Sequence, residues 1–285
     1  TLVTVLSGML LKQISVGNDH VCAIGQSDSS LLNCWGSNSH RQVAGSDGDI
    51  GLGYANPNPS PRGWDSVSAG TDDNTCAVSL DGAIYCWGKN DHGELGSGGS
   101  GSDLAPTRER LRRNDWASVE LGWSHACART RAGSLYCWGK DDDGELGIGG
   151  ASISGNMKVP RIVEQPTAGS WRSVDLGSAF TCGITTTSAM YCWGYWGNDF
   201  NGINQNLPLR LANPASGTTW ASVDSGGAHT CARNSAGALY CWGSNEVGQL
   251  GLDDTTYRYA PALLRSPRSG TWASVALGNS HTCAR

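Results

Sequence analysis

The sequence has little charge and no long hydrophobic run. Charged residues make up 16% of its 285 positions, against about a quarter in an ordinary soluble domain. The formal net charge of −5 argues against nucleic acid as a partner, because neutralising phosphates requires a surplus of Lys and Arg. No apolar segment reaches the ~20 residues needed to span a bilayer. We therefore expect no nucleic-acid binding and no membrane insertion, and the apolar start TLVTVLSGMLL predicts a strand rather than a signal peptide.

Short motifs that mark common catalytic and cofactor sites are also missing. The chain has no G-x-S-x-G, no H-E-x-x-H and no phosphate loop. KDDDGELG at 140–147 resembles part of a calcium loop, but it has no glutamate at position twelve, so a solvated acidic turn is the preferred interpretation. We expect no enzymatic activity, no catalytic residue, no metal ion and no cofactor.

Glycine (40), tryptophan (12) and cysteine (11) are abundant and recur in a repeat of about 50 residues. The first cysteine of each unit is Cys22, Cys76, Cys127, Cys182, Cys231 or Cys283. One tryptophan series stands six residues before a glycine at Trp64, Trp116, Trp171, Trp220 and Trp272. A second series follows the second cysteine at Trp35, Trp87, Trp138, Trp193 and Trp242. Such periodicity indicates a repeat architecture.

Each unit is typical of four short strands, such as WASVDSG, HTCAR, ALYCWG and a weaker fourth near YAPALL. Short strands between Gly-rich turns predict an all-β β-propeller of four-stranded blades. We expect one domain over 1–285, cut from a longer chain, with six or seven blades when closed. The repeats are predicted at about 11–63, 64–115, 116–170, 171–219 and 220–271, with a partial one at 272–285.

These motifs resemble the repeat of the regulator of chromosome condensation family, with its V-x-x-G strand, H-T-x-A strand, G-x-L-Y-x-W-G-x-N and G-Q-L-G. The last motif stands as NDHGELG at 90–96, DDDGELG at 141–147 and NEVGQLG at 245–251. The resemblance covers essentially the whole chain, extends to the β-lactamase-inhibitor propellers, and implies a propeller that usually has seven blades. HRQVAGSDGDIGLG in the first repeat and GNDFNGINQ in the fourth repeat depart from the G-[EQ]-L-G pattern.

The cysteine spacing predicts one disulfide in each hairpin. Pairing Cys231 with Cys241 leaves 235–237 as a three-residue loop with glycine where a left-handed conformation is needed. Because side chains alternate between the two faces of a strand, both cysteines of the first repeat lie on the same side of the sheet although they are twelve residues apart. The predicted pairs are Cys22–Cys34, Cys76–Cys86, Cys127–Cys137, Cys182–Cys192 and Cys231–Cys241. Five bridges indicate an oxidising compartment, so we expect an extracellular or cell-surface protein. Buried free thiols are the alternative.

Two other features have a structural and a chemical interpretation. Cys283 occupies the first-cysteine position without a mate, as expected if the unit is cut short; a reactive thiol is the alternative. Histidine recurs at His20, His125, His229 and His281, which favours a buried residue bonded to the backbone of a neighbouring turn over a metal ligand or catalytic group. The basic run TRERLRR at 107–113 indicates a charged strand edge or, alternatively, a polyanion site.

Partner binding is predicted where the repeat is broken. In a four-stranded meander, the loops after strands one and three lie at the same end. The aromatic and acidic residues predicted in such loops are Trp123, Tyr195, Trp196, Phe200, Asp72, Asp73, Asp141, Asp142 and Asp143. Exposed aromatic residues with a polar rim suit a binding surface; packing against neighbouring blades is the alternative for the two tryptophans.

The favoured function is a secreted or cell-surface protein-binding and assembly module, a rigid disulfide-linked propeller that contacts a protein partner or other subunits of an extracellular filament or coat. An enzyme inhibitor of the propeller type is an alternative. A nucleotide-exchange factor is a third hypothesis, against which the predicted disulfides and the acidic balance argue.

Overall fold

The structure is a computed structural model that describes residues 10–26, 31–43, 50–55, 62–149, 155–166, 169–195, 205–265 and 271–285. Those residues form strands, turns and loops, with no helix among them. The described part of the chain accordingly offers no helix long and apolar enough to cross a membrane. The expected N-terminal strand over TLVTVLSGMLL falls almost wholly outside the described residues.

Five four-stranded antiparallel sheets, called blades 1 to 5, follow one another along the chain, and strands adjacent in sequence are hydrogen-bonded neighbours in each. Blade 1 comprises β1 (Leu11–Val16), β2 (His20–Gly25), β3 (Leu32–Gly36) and β4 (Ile50–Ala55). Blade 2 comprises β5 (Trp64–Ala69), β6 (Asn74–Ser79), β7 (Ile84–Gly88) and β8 (Asp103–Arg108). Blade 3 comprises β9 (Trp116–Leu121), β10 (His125–Thr130), β11 (Leu135–Gly139) and β12 (Met157–Ile162).

Blade 4 comprises β13 (Trp171–Leu176), β14 (Phe180–Thr185), β15 (Met190–Gly194) and β16 (Gln205–Arg210). Blade 5 comprises β17 (Trp220–Ser225), β18 (His229–Asn234), β19 (Leu239–Gly243) and β20 (Arg258–Leu263). A two-stranded sheet follows, β21 (Val275–Leu277) with β22 (Thr282–Ala284). The chain divides into two compact units: unit 1 is 1–141 with 154–162 and holds blades 1 to 3, and unit 2 is 142–153 with 163–285 and holds the remaining sheets.

Within unit 1, the core lies between successive blades. Trp64 of blade 2 is fully buried among Ile24 and Leu32 of blade 1, and the edge of Tyr85 meets its ring at 5.9 Å between centroids. Trp116 repeats the arrangement one blade later. A buried aromatic side chain removes about 200 Å² from water, worth roughly 5 kcal/mol at 25 cal/mol per Å² before ordering costs. In this unit, the first tryptophan series therefore packs blades 2 and 3 against the blades before them.

The hairpins have the predicted register and the predicted bridges. Cys231 lies opposite Cys241, with Ala232 opposite Tyr240. Gly237 takes φ +81°, the left-handed conformation required at the third loop position. The structure contains five disulfides, in the pairs Cys22–Cys34, Cys76–Cys86, Cys127–Cys137, Cys182–Cys192 and Cys231–Cys241. Cys283 is free and exposed on β22.

Blade 4 closes the same turn without glycine. Ser188 adopts φ +63° where the other ten-residue hairpins place glycine. The Ser188 amide donates to the carbonyl oxygen of Thr185 at 2.9 Å, and the Thr185 amide donates to that of Ala189 at 2.9 Å. Blade 4 thus forms the same three-residue turn, with a serine that bears left-handed backbone strain.

Blade 1 keeps the G-[EQ]-L-G turn despite its different sequence. The Asn38 side-chain oxygen accepts the amide of Val43 at 2.9 Å, as Asn90 accepts that of Leu95 at 3.0 Å in blade 2. Arg41 at φ +65° takes the place of Gly93 at φ +88°. Gln42 also accepts the amide of His40 at 3.0 Å, so Asn38, Gln42 and Val43, rather than a glycine, define this turn.

Candidate functional site

The recurring histidine links neighbouring blades through a threonine. In unit 1, His20 Nε2 lies 2.8 Å from Thr75 Oγ1 of blade 2, and Thr75 Oγ1 donates to the carbonyl oxygen of Gln42 at 2.8 Å. Since the hydroxyl proton is used by Gln42, the imidazole donates from Nε2. Burial lowers the pKa of His20 to about 4 against the raising effect of Asp73, so the ring is neutral at pH 7.

Unit 2 repeats this arrangement with His229, Thr282 and the carbonyl oxygen of Gln249, at 2.9 and 2.8 Å. The expected direct bond from histidine to a turn's backbone is therefore replaced by a bond through the next blade's threonine hydroxyl. The side chain at this position also packs on glycine: a Cβ at Gly17 would lie 2.6 Å from His20 Cε1. Blades 2 and 4 carry Asn74 and Phe180 at the same place, which indicates that packing of a side chain on the glycine, not proton transfer, is the common requirement.

Turn carbonyls also bind three members of the second tryptophan series. Trp87 Nε1 donates to the Gln42 carbonyl oxygen at 2.8 Å, and Trp138 Nε1 donates to that of Glu94 at 2.6 Å. Within unit 2, Glu145 plays this part for Trp193 at 2.9 Å. The repeated histidine, threonine and tryptophan residues are consequently structural. Across the described residues, no group of three or more His, Cys, Asp or Glu side chains could hold a metal ion.

Two of the predicted acidic residues hold loops in place. Asp72 Oδ1 accepts a hydrogen bond from Lys89 Nζ at 2.7 Å. Burial alone would lower the pKa of Lys89, but the bond and charge of Asp72 raise it above its usual value. Asp73, at φ +55°, lies 3.0 Å from His40 Nδ1 and accepts from Gln42 Nε2 at 3.0 Å. Both carboxylates therefore form hydrogen bonds within the blade 1 and blade 2 loops.

Trp123 is the exposed aromatic residue next to them. It stands in the loop between β9 and β10 with 47% of its surface exposed. Thr71 Oγ1 donates to the carbonyl oxygen of Gly122 at 3.3 Å, so the Asp72–Asp73 loop and the Trp123 loop touch at one end of unit 1. This places the paired carboxylates and an exposed indole on adjoining loops, as the meander topology predicts.

In unit 2, Tyr195 is 41% exposed directly after β15. Its amide donates to the carbonyl oxygen of Ala179 at 2.8 Å, which joins the loops after the first and third strands of blade 4. Trp196 and Phe200 lie outside the described residues. Of the three aromatic residues predicted in this loop, the structure describes Tyr195.

The acidic turn 141–143 has mixed exposure. Asp141, in unit 1, is buried, whereas Asp142, in unit 2, is exposed. The Asp143 amide donates to the Glu145 side-chain oxygen Oε2 at 2.7 Å. The equivalent glutamate or glutamine makes this bond in other blades, for example Glu94 to the amide of His92 at 2.8 Å. The turn is the ordinary repeat turn with extra acidic residues.

The basic run 107–113 is a folded loop rather than a charged strand edge, because β8 ends at Arg108. Glu109, fully buried, accepts the amides of Arg112 at 3.0 Å and Arg113 at 2.7 Å, and Trp116 Nε1 at 3.2 Å. The Arg113 guanidinium lies 5.5 Å from the Trp116 ring centroid. The sequence analysis did not identify Glu109. Blades 3, 4 and 5 have Val163, Leu211 and Leu264 at the equivalent position, so a glutamate in place of an apolar residue could have drawn attention to it.

Comparison with protein families gives a consistent result. The model described as the regulator of chromosome condensation (RCC1) repeat matches residues 81–129, 132–184 and 236–285, more than half of the chain. A second model of the same repeat matches 64–94, 116–145 and 220–249. The segments matched by the first model run across blade boundaries: residues 81–129, for example, include β7 and β8 of blade 2 and β9 and most of β10 of blade 3.

Individual proteins are similar over most of the chain. Identity to the ultraviolet-B receptor UVR8 of Arabidopsis thaliana is 28% over 213 residues, 71% of this chain and 45% of the receptor, so the chain spans less than half of that relative. Prp20p of Saccharomyces cerevisiae has a similar structure with a TM-score of 0.82 at 18% identity, covering 97% of this chain and 68% of that one. The CRINKLY WD40 ectodomain of the Arabidopsis thaliana receptor kinase ACR4 has a TM-score of 0.58 at 18% identity, covering 98% and 76%. The structural likenesses establish the fold, an all-β β-propeller of four-stranded blades.

Proposed function

This chain belongs to the regulator of chromosome condensation (RCC1) repeat family, and from that premise we propose that it is a protein-binding module of an extracellular or cell-surface assembly. Its blades hold the loops in place, and the loops at the Trp123 end contact the partner. The proposal needs no catalysis, in keeping with a family whose propellers serve mainly in protein interaction and regulation.

The observation that carries the extracellular part is the set of five disulfides. All ten bridged cysteines are completely buried, one pair per complete blade. Disulfides of this number and regularity form and persist in oxidising compartments and are rare where thiols are kept reduced. The ACR4 ectodomain, a receptor ectodomain of related fold, supports the same location.

Trp123 carries the binding part. Large indole rings are costly to leave in water and are enriched among the residues that dominate binding energies. The adjoining carboxylates are already bonded to Lys89, His40 and Gln42, so the loop beneath the ring is ordered in advance and little entropy is lost on association. Prp20p, a propeller of this fold, has binding properties to Gsp1p and histones, which supports protein recognition by such a scaffold.

The location is tested by non-reducing peptide mapping of the protein isolated from its source. Peptides joined by the five hairpin bridges, recovered from the secreted or surface fraction, are expected. Free thiols at those ten positions in freshly alkylated cells would contradict the extracellular proposal.

Binding is tested by capturing partners from the surface fraction on immobilised protein and measuring the affinity of the recovered protein. Trp123→Ala is expected to weaken that affinity at least about tenfold, while the free energy of unfolding changes by less than about 1 kcal/mol. Leu80→Ala is the matched control: Leu80 is 39% exposed in the hairpin loop at the opposite end of blade 2. Equal affinities for both variants, or a large stability loss in Trp123→Ala, would instead identify Trp123 as a packing residue.

A further inference from the structure

An exposed loop on unit 1 has a shape fixed by a buried asparagine. The loop, 97–101, joins β7 to β8 and reads Ser-Gly-Gly-Ser-Gly. Asn90, 1% exposed, donates from Nδ2 to the carbonyl oxygens of Gly99 at 3.3 Å and Gly101 at 3.2 Å, and its own carbonyl accepts the Gly101 amide at 3.1 Å. The loop is therefore preorganised although it faces solvent.

Two cationic side chains flank this loop. The Gly98 amide donates to the carbonyl oxygen of Lys158 on β12 at 2.9 Å, and Lys158 Nζ lies 3.2 Å from Ser100 Oγ. A Cβ built on Gly98 would lie 3.5 Å from Arg110 Cδ and 3.8 Å from its Nε. Both side chains are exposed, and no carboxylate of the described residues forms an ion pair with either of them.

The cation pair is not a product of the repeat. One blade later, the equivalent glycine, Gly149, donates its amide to the carbonyl oxygen of Asn206 at 2.9 Å. The neutral Asn206 therefore occupies the position that Lys158 has beside loop 97–101. Strand register aligns Glu164 with Arg110, because Ile162 and Arg108 occupy equivalent positions opposite Tyr136 and Tyr85. One blade later, an acidic residue, Glu164, and an amide, Asn206, therefore take the places of the two cations.

Blade 5 shows a further version of the loop. There the equivalent asparagine, Asn245, donates from Nδ2 to the carbonyl oxygen of Asp254 at 2.8 Å. The Asp254 carboxylate accepts a short hydrogen bond from Arg258, so that loop is acidic and internally neutralised. Within the described residues, loop 97–101 of blade 2 therefore has two cations beside it that form no ion pair, which distinguishes it from the equivalent loops compared in blades 3 and 5.

We propose that Arg110, Lys158 and loop 97–101 form a binding site for sulfate or phosphate ester groups of an acidic polysaccharide. Within the described residues, the amides of Ser97, Gly99 and Ser100 make no hydrogen bond. Backbone amides, a hydroxyl and two cations are the donors that tetrahedral oxyanions take in proteins. These donors gather on a chain whose net charge is −5, so the site is a local exception to the acidic surface.

Residues 98–101 are exposed at the surface, whereas small ligands are usually enclosed in a pocket. An ester group carried on a polymer therefore fits this loop better than a small metabolite does. Arg112 and Arg161 are further exposed cations on the two segments that carry Arg110 and Lys158. The choice of a polysaccharide rests on the extracellular location in the proposed function. The oxyanion site itself rests only on the geometry.

Calorimetric titration of the oxidised full chain with dextran oligomers tests the site. Three ligands of equal length are compared: O-sulfated, O-phosphorylated at equal charge density, and neutral. The sulfated or the phosphorylated oligomer is expected to bind with one site per chain and the neutral one not at all; the tighter of the two identifies the ester. Absence of binding by both charged oligomers would overturn the proposal.

Matched variants separate the site from general charge. Arg110→Gln with Lys158→Gln is expected to weaken binding about tenfold or more, roughly the loss of two charge-assisted contacts. Arg210→Gln with Arg265→Gln removes the same charge from exposed positions of unit 2 and should leave the affinity within about twofold. Equal weakening by both pairs, or tighter binding of duplex DNA or of a phosphoserine peptide than of either oligomer, would contradict the polysaccharide site.

Trp123→Ala distinguishes this proposal from the proposed function. The variant is expected to bind the charged oligomer with unchanged affinity even where it loses the protein partner. If partner binding fails in every form of the protein while oligomer binding and its variant pattern persist, only the proposed protein-binding function is rejected.

Discussion

His20 Nε2 and Thr75 Oγ1 lie 2.8 Å apart although 55 residues separate them. The bond crosses from β2 of blade 1 to β6 of blade 2 and ends on the carbonyl oxygen of Gln42. Three segments of unit 1 thus depend on one neutral imidazole. Its protonation state therefore bears directly on how firmly these blades hold together.

Stability should fall in acid through this histidine, and His20→Phe should reduce the effect. Because the folded pKa is about 4 and the ordinary value is 6.5, the unfolded chain binds more protons between these values. The contribution is complete above about pH 6.5 and is lost progressively towards pH 4, by about 3 kcal/mol. Phenylalanine, the residue of blade 4 at this position, cannot titrate. Urea titrations of both proteins from pH 7 to pH 4 measure the difference; parallel curves would contradict the buried neutral imidazole.

Asp224→Asn should stabilise the protein at neutral pH. Burial raises the pKa of Asp224 to about 6, against the lowering effect of the Leu277 amide, which donates to its Oδ1 at 2.7 Å. A raised carboxyl pKa means that the folded state holds the proton more tightly, so the wild-type protein loses stability as pH rises from about 4 to 6. Asparagine retains the acceptor oxygen without charge.

The expected gain at pH 7 is up to about 3 kcal/mol and disappears near pH 4. Asp65→Asn, which makes the same change in net charge at a more exposed carboxylate, is the control. A gain of equal size at all pH values would show that desolvation of the charged form is not the cause.

Removing one hairpin disulfide should lower stability without affecting the others. Cys127→Ala with Cys137→Ala opens a ten-residue connection, for which loop-closure entropy corresponds to about 2.5–3 kcal/mol, with a further loss from the vacated core volume. Guanidinium unfolding of the oxidised proteins measures the loss. Cys283→Ala, at the free and exposed cysteine, should leave the midpoint unchanged. A similar drop in both variants would argue against local bridges as the stabilising element.

Ser188→Gly should stabilise blade 4 by about 0.5–1 kcal/mol, because glycine adopts φ +63° without the steric cost that a Cβ brings. The substitution also removes a hydrogen bond from Arg172 Nη1 to Ser188 Oγ at 3.2 Å. Ser188→Ala loses the same bond but keeps the Cβ, so the difference between the two variants isolates the backbone effect. Thermal unfolding should rank glycine above alanine; the reverse order would refute the strained-turn interpretation.

The predictable parts of the fold are those written within a few residues. The spacing of Cys231 and Cys241 around Gly237 correctly specifies which residues face each other, because hairpin register follows from loop length and alternation. The strands of each blade follow from the same local patterns. The turn of blade 1 is not recognisable in the sequence, since its side-chain contacts persist while its glycine is replaced by Arg41.

The candidate sites are less accessible from sequence. Trp123 stands out because it breaks the repeat, yet the sequence does not show that Asp72 and Asp73 are already bonded to Lys89 and His40. Nor does it show that Glu109 folds the basic run into a loop. Those facts depend on where the side chains lie in the folded loops rather than on residue order.

By itself, the sequence determined the repeat, the four strands of each blade, the cysteine pairs and the family. The cysteine pairs and strands follow from patterns that span about ten residues, and the repeat and the family follow because those patterns recur along the chain. Only the tertiary structure decided that His20 acts through Thr75 and that Lys158 lies beside Ser100, 58 positions away. Such pairs arise when one blade packs on the next, and their distances depend on the twist and offset of whole sheets, for which no local pattern is a guide.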